Sequence, residues 1–222
     1  MTYILNIETA TKNCSVSVAK DGKTLICKEM AEQGYSHAEQ LHVFIEDVLQ
    51  AVGIKFSDLN AVAVSQGPGS YTGLRIGVSA AKGLAFALNI PLIAVDTMKV
   101  LAAQAKVTDG LIVPMIDARR MEVYSAVFNS NLEKNRDVTA EILTEDSYSD
   151  ETQKLYFIGD CQEKCQTVLT KENFIFLENV IYPSAAEMSA LGYIKYKKND
   201  TVDVAYFEPY YLKDFLITTK KS

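Results

Sequence analysis

AVAVSQGPGSYTGLRIGVSAAKG, residues 61–83, reads as strand, turn and helix in one unbroken stretch. Ala61 to Ser65 is a short, apolar run of the kind that fills a buried parallel strand. Gly67, Pro68 and Gly69 break it, Ser70 offers a hydroxyl that can cap a helix, and the spacing predicts a helix over residues 71–88. A buried strand passing through a glycine turn into a helix is the elementary unit of an α/β sheet, because parallel strands need a crossover connection.

Working outward, residues 3–7 are apolar, residues 14–19 alternate with Val16 and Val18 on one face, and Asp21-Gly22 supplies the positive φ angles of a tight hairpin turn into a third strand over 23–30. Ser36 and Glu39 form a capping-box signature ahead of Leu41, Phe44, Ile45, Val48, Leu49 and Val52 at helical spacing, and Gly53 suits a left-handed cap. After Pro91, residues 92–95 read as a buried strand and 97–105 as a helix capped by Asp96 or Thr97. The first half is thus βββαβαβα.

The second half repeats that order in degenerate form after roughly 105 residues. Strands are predicted over 111–116, 122–128, 138–143, 155–158 and 174–177, with a helix over 161–169 and a last one opened by Ser184 and Glu187. The polar stretch NSNLEKNRD, residues 129–137, reads as an exposed hairpin loop. The fold class that follows is α/β, two tandem lobes, residues 1–106 and 107–222, each a mixed sheet flanked by helices.

Composition narrows the setting. A chain of 222 residues with 48% hydrophobic content buries a substantial core without a covalent staple. A net charge of −6 and a pI near 5.1 oppose tight independent binding to a polyanion. Cys14, Cys27, Cys161 and Cys165 include no C-x-x-C, and the chain opens on strand-like MTYILNIE instead of a leader, so a reduced, cytoplasmic setting is expected. No apolar run reaches the length of about 18 residues that spans a bilayer.

Gly69, Gly73, Gly77 and Ala81 fall at intervals of four, a stripe without bulk where another helix or a backbone can approach closely. The alternative is an anion loop, in which Gly67, Gly69 and Ser70 present free N–H groups at a helix N-terminus, with the turn carrying Glu8, Thr9 and Thr11 beside it to serve a metal-nucleotide. Both established phosphate motifs fail, because Thr72 stands where each needs a glycine. Close packing is therefore the favoured reading, and Glu8 is by default an ordinary solvated turn residue.

Catalytic constellations are absent. His37 and His42 stand five apart, roughly 140° around a helix, whereas a metal pair shares a face at a spacing of four. Ser70 lies outside any G-x-S-x-G elbow, and Cys161 with Cys165 gives two thiols where a closed zinc site needs four ligands, so burial is their expected state. Arg119 and Arg120, after Asp117, form one compact basic doublet that can reach an anionic partner, with Glu122 placed to pair with one of them.

ILNIETATKNCSVSV (4–18), SHAEQL (36–41), SQGPGSYTGLRIG (65–77) and DARRMEVY (117–124) resemble, in order and spacing, the motifs of the TsaB family, also called YeaZ. The resemblance implies an actin-like, sugar-kinase-like fold of two ribonuclease-H-like lobes. It implies a partner subunit for the catalytic paralogue TsaD, in an assembly with the ATPase TsaE, which places a threonylcarbamoyl group from an adenylate on adenosine 37 of tRNAs that read codons starting with A. TsaD-like relatives carry an H-x-x-x-H metal motif, but four residues after His37 stands Leu41. The chain is therefore expected to be non-catalytic and to need no cofactor itself, with ATP or ADP and a divalent metal belonging to the TsaD and TsaE complex, and tRNA met through that complex. The family's pairing through first-lobe helices, in homodimers and with TsaD, points to His37, Leu41, Phe44 and Ile45 and to Tyr71, Leu74, Arg75 and Val78, with Gly73, Gly77 and Ala81 permitting close helix approach. A nucleotide-binding ATPase or kinase-like enzyme ranks second, and a glycoprotease-like peptidase, which lacks both metal pair and nucleophile with base, ranks third.

Overall fold

The computed structural model describes residues 1–31 and 37–213. Three antiparallel strands come first, β1 (Tyr3–Glu8), β2 (Cys14–Lys20) and β3 (Lys23–Met30), the last two joined by Asp21 and Gly22 at φ 50° and 82°. Both central residues of the turn are left-handed, which matches the twist of the flanking strands. Helix α1 (His37–Val52), strand β4 (Ala61–Ser65), helix α2 (Tyr71–Leu88), strand β5 (Leu92–Val95) and helix α3 (Thr97–Ala102) complete the first half. The second half holds β6 (Leu111–Asp117), β7 (Glu122–Asn129), β8 (Lys134–Ile142), β9 (Leu155–Gly159), α4 (Gln162–Gln166), β10 (Phe174–Phe176) and α5 (Ala185–Lys197).

The two five-stranded sheets share one topology. The first runs β3-β2-β1-β4-β5 and the second β8-β7-β6-β9-β10, and in both the first three strands pair antiparallel while the last two add in parallel. The duplication expected from element order is present.

Helix ends follow local chemistry. Gly53 closes α1 at φ 74°, Ser70 caps α2 by accepting from Gly73 N, Asp96 caps α3 through Met98 N and Lys99 N, and Ser184 caps α5 through Ala186 N. The Ser36 half of the predicted capping box lies outside the described residues. Two boundaries differ from expectation. Strand β8 begins at Lys134, inside the stretch read as a loop, because its polar side chains have partners: Lys134 Nζ reaches Asp96 at 2.7 Å, and Arg136 Nη2 donates to Ser125 Oγ and Tyr148 OH. Helix α4 is only five residues long, and no helix stands between β8 and β9 where α1 stands in the first half.

One face of the first sheet is covered by α1 and α2, which bury Leu41, Ile45, Val48, Val78, Ala81 and Ala85 against Leu5, Ile7, Val16, Val18, Val62 and Val64. The other face is covered by α5 from the second half, where Ala185 and Met188 meet Ile4, Ala61, Ala63, Ile93 and Val95. In return α3, from the first half, lays Met98, Leu101 and Ala102 on Ile112, Ile116, Ala126, Phe128 and Ile158 of the second sheet. Each half thus lends a helix to the other's core.

The glycine stripe of α2 is a packing seam, and its occupant is the chain itself. A methyl at Gly69 would stand 2.2 Å from Ala10 O, one at Gly73 2.1 Å from Thr9 O, and one at Gly77 2.1 Å from Thr9 Oγ1. Gly83, on the opposite side of the helix, faces open space. Gly77→Ala is therefore expected to destabilise the fold by about 1–3 kcal/mol through overpacking, whereas Gly83→Ala is expected to stabilise it by about 0.5–1 kcal/mol by lowering backbone entropy. Urea midpoints of the two variants, compared with the parent chain, check the opposite signs.

Candidate functional site

The β1–β2 turn and the loop before α2 meet at the ends of the parallel strands, where an open α/β sheet places its ligands. Several of their backbone groups are already engaged. Ser70 N donates to Ala10 O at 2.6 Å, Gly67 N to Thr97 Oγ1 at 2.9 Å, Gln66 N to Val95 O at 2.8 Å, and Gly73 N to Ser70 Oγ at 3.2 Å. Thr9 Oγ1 donates to Gly73 O at 2.8 Å, and His37 Nε2–H donates to Thr11 O at 2.7 Å. The carbonyls of Thr9 and Ala10, not a ligand, occupy the space that the glycines leave. An anion here would meet carbonyl oxygens and have to displace internal hydrogen bonds.

Glu8 lies beneath this turn, fully buried, so it is not the solvated turn residue its sequence context implied. Its Oε1 accepts from Ala10 N at 2.7 Å and Ser65 Oγ at 2.9 Å, while Oε2 has no partner among the described residues. Burial, only partly offset by those bonds, pushes the carboxyl up to about 7. Of the other expected loop residues, Thr9, Thr11 and Gly67 are buried, Gly69 is half-buried, and only Ser70 is exposed.

The corresponding turn of the second lobe, between β6 and β7, is held differently. Arg119 and Arg120 both have positive φ, 73° and 54°, and Asp117 Oδ1 accepts from Arg119 N at 2.9 Å. Lys164 of α4 pairs with Asp117 and donates to Arg120 O and Glu122 O, each at 2.8 Å. Glu122 pairs with Lys213, not with an arginine, because both arginine side chains sit on an exposed turn while Lys213 is brought across by the C-terminal segment.

That segment, residues 200–213, was not foreseen as part of any site. Val202 bridges to Leu92, Tyr210 N donates to Gln66 O at 2.7 Å, and Lys82 Nζ donates to the carbonyls of Ala205 and Phe207. Tyr211 packs at a tilt of 40° against Tyr71, 5.1 Å between ring centres, and accepts from Arg75 Nε, while the Arg75 guanidinium lies 4.2 Å over the Tyr71 ring. The only signal for it in the sequence was the density of aromatic residues in AYFEPYY, residues 205–211.

A family profile described as TsaD, tRNA N6-adenosine threonylcarbamoyltransferase, matches residues 29–214. The tRNA threonylcarbamoyladenosine biosynthesis protein TsaB of Escherichia coli is 31% identical over 95% of this chain and 94% of its own length. The solved structure of YeaZ from Pseudomonas aeruginosa superposes with a TM-score of 0.80 at 25% identity, covering 96% of this chain and all of that one. The chain belongs to the TsaB family. A tRNA N6-adenosine threonylcarbamoyltransferase of Bacillus subtilis is 38% identical, over 42% of this chain and 31% of its own length. The two mixed sheets are the actin-like, ribonuclease-H-like lobes expected of a TsaB protein.

Within this TsaB fold, the residues expected at a partner interface divide. Leu41, Phe44, Ile45, Gly73, Leu74, Gly77, Val78 and Ala81 are buried in the chain's own core, because α1 and α2 turn these faces to the sheet and the β1–β2 turn. The glycine stripe, expected to permit close approach of a partner helix, meets Thr9 and Ala10 of the chain's own β1–β2 turn. His37 and Tyr71 are half-buried, and Arg75 is exposed. The outward faces carry His42, Val43 and Glu46 on α1 and Thr72, Ser79, Gly83 and Phe86 on α2, with Val43 50% and Phe86 81% exposed.

Glu8 sets a pH dependence. An unfolded carboxyl near 4.5 and a folded one near 7 make the unfolded state release its proton first. Stability from this group is complete below 4.5 and is lost as pH rises through 7. Glu8→Gln removes that loss, so at pH 8 the variant is expected to exceed the parent chain by up to about 3 kcal/mol, with the gap closing toward pH 4. Thermal unfolding of both across pH 4–8 measures it.

Proposed function

We propose that this chain is a non-catalytic subunit that binds a TsaD-type transferase and is required for formation of the threonylcarbamoyl group on adenosine 37 of tRNAs reading codons that start with A. The observation that carries the reading is the closed state of the loops with which this fold would do chemistry. The turn that would cradle a phosphate is filled by Thr9 and Ala10, and its carboxylate, Glu8, is sealed from solvent. Leu41, at the second position of the H-x-x-x-H spacing, is fully buried in the α1 core, so no ligand can stand there.

What remains for α1 and α2 is their outer surface. Two helices packed side by side on one sheet leave Val43 and Phe86 exposed, and Arg75 lies over the Tyr71 ring and donates to Tyr211 OH. Aromatic and arginine anchors of this kind dominate binding energy at protein interfaces. A second lobe of the same fold, on TsaD or on another copy of this chain, is the partner that such a helix pair fits. ATP or ADP, a divalent metal and the ATPase TsaE belong to the partner side of the assembly, and tRNA meets this chain through it. The resemblance of one part of the chain to the transferase itself fits descent of both partners from one lobe pair.

Modification of tRNA reconstituted with the cognate TsaD and TsaE is expected to depend on this chain, and the chain alone is expected to modify no tRNA. Phe86→Asp and Val43→Asp, both at exposed positions, are expected to weaken association with TsaD at least about tenfold while leaving the melting temperature unchanged. Unaided modification, or no association with TsaD under any nucleotide condition, overturns the reading.

A further inference from the structure

Sulfur atoms gather at one point of the second lobe. Cys161 is the N-cap of α4 and Cys165 lies in the helix body, with their Sγ atoms 3.6 Å apart, and Met115 Sδ of β6 stands 3.6 Å from Cys165 Sγ. All three side chains are buried, Cys161 at 4% and Cys165 and Met115 at 1% exposure, and both cysteines are free thiols. Val113, Phe157 and Leu169 pack in the same cluster, and the charged groups of Lys164, Asp117 and Asp160 lie near the thiols.

A cation bound to sulfur at about 2.3 Å holds its ligands about 3.8 Å apart in tetrahedral and about 4.0 Å apart in trigonal geometry. The two observed separations fall a few tenths of an ångström short, which side-chain rotation supplies. Two thiolates and a thioether form a soft donor set that favours monovalent copper, and three donors are one fewer than a closed zinc site requires. We propose that Cys161, Cys165 and Met115 form a three-coordinate site for a soft monovalent cation, copper(I) by donor chemistry. Binding replaces two S–H bonds with two metal–thiolate bonds, adds a dative bond from Met115 Sδ and releases two protons to solvent, and no electron is transferred.

Access and consequence both run through α4. A helix of five residues opens at little cost by local unfolding, which admits the ion. Lys164, between the two cysteines, holds Asp117, Arg120 O and Glu122 O, so an ion that fixes α4 also fixes the turn carrying Arg119 and Arg120. Simple core packing through S–H···S contacts would give the same short distances with no metal affinity, and the two differ in solution.

Anaerobic titration of the full chain with copper(I) against a chromophoric chelator, followed by copper X-ray absorption, tests the site. One ion per chain with a shell of three sulfurs is expected. Cys161→Ala/Cys165→Ala should lose the site and Cys14→Ala/Cys27→Ala should keep it, while Met115→Leu, which conserves volume, should reduce the shell to two sulfurs. Copper uptake by the folded Cys161→Ala/Cys165→Ala chain at parental affinity, a shell containing nitrogen or oxygen, or no uptake by the parent chain overturns the proposal. Should the double alanine chain not fold, the Met115→Leu spectrum decides, and a retained shell of three sulfurs overturns it.

Discussion

The contact between the β1–β2 turn and the bare side of α2 is the constraint on which the rest of the first lobe depends. Thr9 and Ala10 can reach the helix backbone only because positions 69, 73 and 77 carry no side chain; Ala10 O then accepts from Ser70 N, and the Thr9 hydroxyl donates to Gly73 O. That single approach fixes the height of α2 above the sheet, brings α1 alongside it through His37, and seals Glu8 below. The strand ends at which an open α/β sheet places its ligands are lined here by Thr9 and Ala10.

The sequence carried most of the architecture. Strand and helix order, the hairpin at Asp21-Gly22, the caps at Gly53, Ser70 and Asp96 and the duplication of the sheet were all legible, because each depends on local periodicity or on a residue with a distinctive backbone preference. The start of β8 was not. Lys134 and Arg136 look like loop residues until Asp96, Ser125 and Tyr148, distant in sequence, supply their partners.

The parts of the site were legible, but which backbone fills the glycine stripe was not. Glycine at every fourth position correctly announces a close approach, yet spacing alone cannot say whether the approaching backbone belongs to the same chain. Leu41, Phe44 and Ile45 were read both as a core stripe and as a contact surface, and a stripe of that kind faces one way only. The burial of Glu8 was hidden for a related reason, since one of its partners, Ser65, stands far along the chain while the polar turn that follows it looks solvent-facing in sequence.

The exchange of helices between halves bears on how the polypeptide is made. As synthesis proceeds from the N-terminus, the first sheet has its strands by residue 95 but lacks the helix that roofs its second face until residue 197 has emerged. Gln66 O keeps no partner from Tyr210 until later still. A nascent or truncated first half therefore shows Ile4, Ile93 and Val95 to the surroundings, and the ribosome releases a chain whose two halves can finish only together.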